Sequence, residues 1–229
     1  MMQTTKSWTQ YILLACLATL VISPLESSQA EAQQGLYHLS LSLFDRVGLP
    51  DRVLRTMRKE IEGSYANIGV HIQMEIYGPS VPSVPSLKAP TVQVLLWPRD
   101  GTLFQVSDKT MGLVLLKAGQ APESAYIFFP AVVRALTQGR RKSVADLTSF
   151  ELGRALGRVV AHELIHVVAP RHPHSQHGLT QRALTKEFLS SLRPAKLDPI
   201  AVKAFIRSLQ NRTPLEAEAL PTTQALSRQ

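Results

Sequence analysis

The feature that most constrains this chain is a short segment, residues 161–180, in which histidines are concentrated. It reads AHELIHVVAPRHPHSQHGLT and holds five of the seven histidines in the sequence. Two of them, His162 and His166, enclose Glu163 in an H-E-x-x-H pattern. Residues four apart share one face of an α-helix, so both imidazoles can point at one metal ion with the carboxylate beside them. Zinc suits such ligands, because it binds imidazole nitrogen at about 2.0–2.1 Å and keeps an open position when it is catalytic.

The helix that carries this motif is predicted to begin near Asp146 or Ser149 and to end at about Val168. Its residues are apolar on nearly all sides, which indicates a buried helix. Gly153 and Gly157 lower its helix propensity and therefore predict a close approach to a neighbouring strand or helix. The alternative is a helix that carries two histidines by chance. The apolar run and the histidines that follow it favour the metal site.

The third ligand must come from the chain after this helix, and the residues leave more than one candidate. His172 stands six residues after His166, a spacing at which a third histidine completes the ligand set of many zinc sites. His174 stands eight residues after His166. A site that bound both would fill the open position that catalysis needs. His177 is predicted to be a turn residue, and Glu187 is a minor carboxylate candidate further along the chain.

The remainder of the chain predicts both strands and helices. Alternating apolar residues predict strands at residues 36–44, 70–77 and 91–97, and short buried strands follow at 112–116 and 125–129. Helical spacing predicts helices at residues 51–68, 181–192 and 198–210, with Asp51 as the cap of the first. His38 and His71 fall on the polar sides of their strands, so we expect them to be surface residues and not ligands.

The region around the motif resembles a group of predicted bacterial secreted zinc-protease-like proteins, related in outline to metzincins. In that group H-E-x-x-H is followed, after seven residues, by H-S-x-x-G-[IL]-M. This chain has the same spacing and reads HSQHGLT at residues 174–180. The preceding G-R-V-V-A at residues 157–161 also matches. The resemblance covers residues 36–190 and is sharp over residues 157–180.

The resemblance implies His162, His166 and His174 as zinc ligands and Glu163 as the general base. Its H-S-x-x-G element is the reason for favouring His174 as the third ligand over the alternative, His172. Thr180 stands where the group has the methionine of its turn, a residue that packs beneath the metal without taking part in the chemistry.

Together these observations predict an α+β, zincin-like domain over residues 36–212. We expect a mixed β-sheet packed against the buried active-site helix, with a substrate cleft along one sheet edge. The predicted activity is that of a zinc-dependent peptidase-like hydrolase, with a peptide or protein as substrate. Zinc would activate a water molecule, and Glu163 would serve as general base. Burial of the helix also buries Glu163, whose charge then needs a partner such as that water.

The first thirty residues, 1–30, are predicted to be a signal peptide. Lys6 supplies a positive start, residues 11–22 are apolar, and small residues permit cleavage after Ala30 or Ala32. The apolar run is shorter than the ~20 residues needed to span a bilayer. The mature protein is therefore predicted to be secreted or periplasmic, with no stable membrane span after signal cleavage. A retained N-terminal membrane anchor is the alternative.

Composition narrows the kinds of metal ligand and of partner that this chain can have. Cys16 is the only cysteine, so a mature chain has no thiolate and any metal must be held by histidine and carboxylate. The net charge is +8. The charges are scattered and not interleaved with aromatic residues, so no nucleic-acid partner is predicted. Residues 213–229 lack a core pattern and predict a disordered tail. The sequence does not indicate an oligomeric state.

Two other classes of function stay open at this point. One is a catalytically inactive zinc-binding secreted domain that has kept the ligands. The other is a basic secreted binding domain whose histidines hold no metal.

Overall fold

The computed structural model describes residues 37–80, 91–115, 124–138 and 143–212. The predicted signal peptide and the predicted tail lie outside these residues. Within the described ranges, no helix combines the length and the apolar character that crossing a membrane requires.

The fold is α+β and is built around a five-stranded mixed sheet with the order β2-β1-β3-β5-β4. The strands are β1 (Tyr37–Asp45), β2 (Val70–Tyr77), β3 (Thr91–Trp97), β4 (Gly112–Val114) and β5 (Ser124–Phe128). Four strands run parallel, and β4 runs antiparallel to β5 at the sheet edge. Leu39, Leu41 and Leu43 of β1 are buried in the same apolar cluster as the main helices, as the alternating pattern predicts.

Five α-helices accompany the sheet in the described ranges. They are α1 (Asp51–Ala66), α2 (Phe129–Thr137), α3 (Ser149–Val168), α4 (Lys186–Ser190) and α5 (Pro199–Arg212). Helix α3 begins with a capping box, in which Thr148 Oγ1 accepts from the Glu151 N–H at 3.1 Å and the Glu151 carboxylate accepts from the Thr148 N–H at 3.0 Å. Every residue from Leu152 to Val168 is buried except His166, which confirms the predicted buried helix.

The two glycines of α3 lie against α1. A Cβ atom added to Gly153 would stand 2.6 Å from the carbonyl oxygen of Val53, and one added to Gly157 would stand 2.9 Å from that of Met57. Neither backbone can give way without moving a helix. The predicted close approach is therefore confirmed, and the neighbour is helix α1.

Buried polar contacts fix the axial position of α3 beside α1 and α5. The side chain of Arg158 is 1% exposed, and its Nε donates to Glu60 Oε1 at 2.7 Å. The Tyr65 hydroxyl donates to the carbonyl oxygen of Ala161 at 2.6 Å. The ring of Tyr65 also packs on Phe205 of α5, with centroids 5.0 Å apart. These contacts fix the position of the H-E-x-x-H motif, which begins at His162, the residue after Ala161.

Several predicted bounds are off by one or two residues, and three of the predicted elements differ from the structure in more than that. Helix α1 has Pro50 at its N-cap, and the side chain of Asp51 makes no capping hydrogen bond. The helix predicted over residues 181–192 is limited to the five residues of α4, because Thr185 caps it late by accepting from the Phe188 N–H. The strand predicted at 112–116 is shorter in the structure and only partly buried, because it lies at the sheet edge.

Candidate metal centre

Helix α3 places His162 and His166 one turn apart, with ring centroids separated by 4.9 Å. His162 is 5% exposed. Its Nδ1 lies 2.7 Å from the carbonyl oxygen of Leu179, so Nδ1 carries a proton and donates it. That tautomer leaves the lone pair of Nε2 free to bind a metal. Burial lowers the pKa of His162 to about 4, so the imidazole is neutral at pH 7.

The loop after α3 brings His174 back to this pair. Its Nε2 lies 3.1 Å from the Nε2 of His166, and its ring centroid lies 5.4 Å from that of His162. One nitrogen of each of the three histidines lies within 4.8 Å of the other two. Burial lowers the pKa of His166 to about 4 and also lowers the pKa of His174. Three neutral imidazoles therefore converge on one point.

The other candidate ligands lie outside this group. His172 does not belong to it, and its Nε2 is buried with no hydrogen-bond partner among the described residues. Glu187 is exposed and also lies outside the group, although it lines the cleft that opens beside the three histidines. His38 and His71 are exposed on β1 and β2, where their rings contact each other with centroids 5.4 Å apart. His177 is exposed and precedes a short 3-10 turn.

The donor set fits a zinc ion. Tetrahedral zinc with nitrogen ligands at about 2.0–2.1 Å holds those nitrogens roughly 3.3–3.4 Å apart. The Nε2 atoms of His166 and His174 stand 3.1 Å apart. Without a cation, one of these two nitrogens must carry a proton to hydrogen-bond to the other, whereas a shared metal ion uses both lone pairs. Three imidazole ligands also leave one tetrahedral position for a reactant.

Glu163 lies beside the histidines and is only 7% exposed. Its Oε1 lies 4.0 Å from Nε2 of His162. Burial raises the pKa of Glu163 to about 8. A cation held by the histidines would favour the charged carboxylate and bring this pKa down. The group is thus placed to take up and release a proton near neutral pH.

The side chain of Glu163 packs on the backbone of the edge strand β4. A Cβ atom on Gly112 would lie 2.3 Å from Glu163 Oε1 and 2.5 Å from its Cγ. Gly112 is held in place, because the Phe128 N–H donates to the Met111 carbonyl at 2.8 Å and Gly112 pairs with Ile127. Sequence reasoning assigned Gly112 to a strand without a role. The available signal was the glycine itself, since a glycine inside a strand often marks close backbone approach.

A cleft of about 1150 Å³ opens beside the histidines, between β4, α2 and residues 182–187. Its walls carry more cationic than acidic side chains. The cations are Lys109, Arg134, Arg182 and Lys186, and the acids besides Glu163 are Asp108 and Glu187. Arg134 is paired with Asp108 at 3.0 Å. Arg182 is exposed and lies near enough to His174 to contribute, after burial, to the lowered pKa of that histidine.

Comparison with solved structures finds a likeness in fold to two proteins. The archaemetzincin of Methanopyrus kandleri is matched with a TM-score of 0.50 and 13% identity, over 76% of this chain and 96% of that one. Metalloproteinase-II of Bacteroides fragilis is matched with a TM-score of 0.44 and 12% identity, over 76% of this chain and 53% of that one. No protein-family model matches the chain, and the search of curated proteins also finds no match. At 13% identity, the archaemetzincin likeness shows the fold alone, which is zincin-like.

Proposed function

We propose that this chain is a zinc-dependent peptidase-like hydrolase whose metal is held by His162, His166 and His174. The observation that carries the proposal is the convergence of three neutral imidazoles within 4.8 Å, beside the buried carboxylate of Glu163. The zincin-like fold supports it, because the likeness is to a protein named as an archaemetzincin.

A bound zinc ion supplies Lewis acidity and lowers the pKa of water toward ~7. The protein residues provide the rest. Glu163 accepts a proton from the attacking water and delivers it to the leaving amine, and a bound cation would suit it to the first step by bringing its pKa down from about 8. The Leu179 carbonyl keeps His162 in one tautomer and so keeps its Nε2 directed at the metal.

A peptide or protein substrate would bind along β4. This strand pairs with β5 on one side, and the described residues leave its other edge without a strand partner. An extended peptide can add to such an edge through main-chain hydrogen bonds. Because Gly112 of β4 touches Glu163, a peptide bound there would have its backbone next to the general base.

The location of the protein is also part of the proposal. Residues 1–30 act as a signal peptide, residues 36–212 form the peptidase domain, and the mature protein is secreted or periplasmic. Mass measurement of the mature protein from an expressing bacterial culture tests this, because cleavage after Ala30 or Ala32 removes the apolar run. A full-length mass in the membrane fraction would instead indicate a retained anchor.

A second candidate is a zinc-binding domain without catalysis. It is favoured by one observation, Thr180 at the position where the resembling group has methionine. Glu163→Gln separates the two, because the amide keeps the shape of the side chain and cannot act as base. A hydrolase loses turnover and keeps its zinc. A binding domain shows no turnover to lose.

The test begins with elemental analysis of the purified mature protein and of three variants, His162→Ala, His172→Ala and His174→Ala. We expect about one zinc per chain, which is lost with His162→Ala and His174→Ala. The His172→Ala variant is the matched control and should keep its zinc. Zinc-free wild-type protein after incubation with zinc would refute the proposal. Loss with His172→Ala and retention with His174→Ala would assign the third ligand to His172.

A further inference from the structure

The backbone of the 3-10 turn Gly178–Thr180 bonds to one of the three histidines and to the residue that follows a second. The Leu179 carbonyl accepts from His162 Nδ1, as described above. The Thr180 carbonyl accepts from the N–H of Ser175, the residue next to His174, at 2.9 Å. Any displacement of this turn therefore moves a ligand on helix α3 and a ligand on the loop together.

The turn is anchored by residues from the segment that leads into α5. The Leu179 N–H donates to the Lys196 carbonyl at 3.0 Å. Gly178 has a φ of +75°, and a Cβ there would stand 2.9 Å from the same carbonyl oxygen. The Thr180 side chain, 1% exposed, donates from Oγ1 to Asp198 Oδ2. The backbone of the turn and the Thr180 side chain are thus both bonded to residues 196–198, which lead into α5.

The number of hydroxyl protons limits which way the hydrogen bonds among Ser175, Thr180 and Asp198 can run. Thr180 Oγ1 lies 2.7 Å from Ser175 Oγ and also contacts the Asp198 carboxylate, which can only accept. The single hydroxyl proton of Thr180 therefore goes to Asp198. The single hydroxyl proton of Ser175 has two acceptors within reach, Thr180 Oγ1 at 2.7 Å and the carbonyl oxygen of His177 at 2.6 Å. The other carboxylate oxygen of Asp198 accepts from the N–H groups of Ile200 and Ala201, at 3.0 and 2.9 Å. The carboxylate is thereby fixed to the first turn of α5.

We infer that Thr180 and Asp198 are positioning residues for the metal centre. They hold the turn whose Leu179 carbonyl orients His162 and whose Thr180 carbonyl anchors Ser175, the residue after His174. In this chain a polar clamp occupies the place that a methionine packing contact has in the resembling group. The inference rests on the metal centre of the proposed function and is independent of whether the centre hydrolyses peptides.

The first test uses Thr180→Val, which keeps the shape of the side chain and removes the hydroxyl. We expect its zinc affinity, measured by competition with a chromophoric chelator, to fall about 10- to 100-fold, the range found when an outer partner of a ligand is lost. Thr180→Ser keeps the hydroxyl and should restore affinity to within about threefold of wild type. Thr56→Val is the matched control, because the bond that Thr56 Oγ1 makes among the described residues stays within its own helix, at the Arg52 carbonyl.

A second variant keeps the inference testable if Thr180→Val fails to fold. In Asp198→Ser a hydroxyl can still cap α5 but is too short to reach Thr180 as well. It should lose zinc affinity as Thr180→Val does, and the double variant should lose no more than either single one. The visible spectrum of the cobalt-loaded variants should shift, since the ligand geometry changes. Full additivity of the two losses would overturn the inference.

A readout without metal separates positioning from plain stability. Nitrogen-15 NMR of the imidazoles in metal-free wild type at pH 7.5 should show His162 protonated at Nδ1 alone. In Thr180→Val a mixture of tautomers is expected. If the variant is merely less stable, with unchanged tautomer, zinc affinity and cobalt spectrum, the inference is wrong. If wild type binds no zinc, the proposed function fails, and the tautomer comparison still decides the role of Thr180.

Discussion

Replacing Gly112 with alanine tests whether the edge strand sets the position of the Glu163 carboxylate, the general base of the proposed function. The added Cβ would lie 2.3, 2.5 and 2.6 Å from Oε1, Cγ and Cδ of Glu163. Favourable carbon contacts begin near 3.5 Å, so the carboxylate must move by about 1 Å. Strand β4 cannot move instead without breaking its pairing with β5, so the Glu163 side chain, which lines the cleft, is the group that shifts.

A displacement of about 1 Å in a catalytic group can cost 10²-fold in rate, which corresponds to about 2.7 kcal/mol. We therefore expect Gly112→Ala to reduce kcat/KM for peptide hydrolysis about 100-fold. Zinc content should be unchanged, because the three atoms nearest to the added Cβ all belong to Glu163 and none to a histidine. Elemental analysis and a fluorogenic peptide assay measure the two quantities on one preparation.

The matched control is Gly63→Ala in helix α1, where an added Cβ meets nothing within 4 Å. It should leave kcat/KM unchanged and raise stability by up to ~1 kcal/mol, the difference in helix propensity. The double variant Gly112→Ala/Glu163→Gln should be little worse than Glu163→Gln alone, because both changes disable the same group. A Gly112→Ala protein with wild-type kcat/KM, or one that loses zinc, would refute the reasoning.

Three further outcomes follow from packing and charge. Gly157→Ala should lower the free energy of unfolding by about 1–2 kcal/mol in urea denaturation, since overpacking against Met57 outweighs the gain in helix propensity. In metal-free protein Glu163 has a folded pKa of about 8 against a reference value of 4.5, so its protonation stabilises the fold at low pH and that stability is lost as pH rises through 8. Between pH 7 and pH 9 the wild type should lose about 1.4 kcal/mol relative to Glu163→Gln, and equal slopes for the two proteins would contradict the shift. Arg182→Glu should raise KM for an acidic peptide up to about fivefold, as expected for a surface charge pair, and lower KM for a basic peptide. KM values equal to those of the wild type would show that Arg182 takes no part in substrate binding.

The elements that were predicted well are those whose signals are local. Strands β2 and β3 have the predicted bounds, because alternation persists over the whole of each strand. Helix α3 ends at Val168 as predicted, one residue before Ala169-Pro170. Its burial followed from an apolar surface on all sides, and its two glycines indicated a close neighbour. None of these inferences required knowledge of distant residues.

The features that were missed depend on distant contacts. The helix over residues 181–192 was predicted too long, because Gln181 instead pairs with Ser175 in an isolated bridge. Spacing alone did not choose between His172 and His174, since the loop conformation depends on Lys196 and Asp198, about twenty residues later. The role of the Leu179 carbonyl has no sequence signal, because any residue supplies a carbonyl.

The order of the anchoring groups along the chain has a consequence for biosynthesis. When the ribosome has delivered the first 190 residues, all three histidines and Glu163 exist, but the Lys196 carbonyl and the Asp198 carboxylate do not. Helix α5, which follows them, docks through Phe205 on Tyr65. A nascent chain therefore carries the metal-binding groups before it carries their clamp. If these later groups position the metal centre as inferred above, we expect full zinc affinity only after the segment leading into α5 has been made.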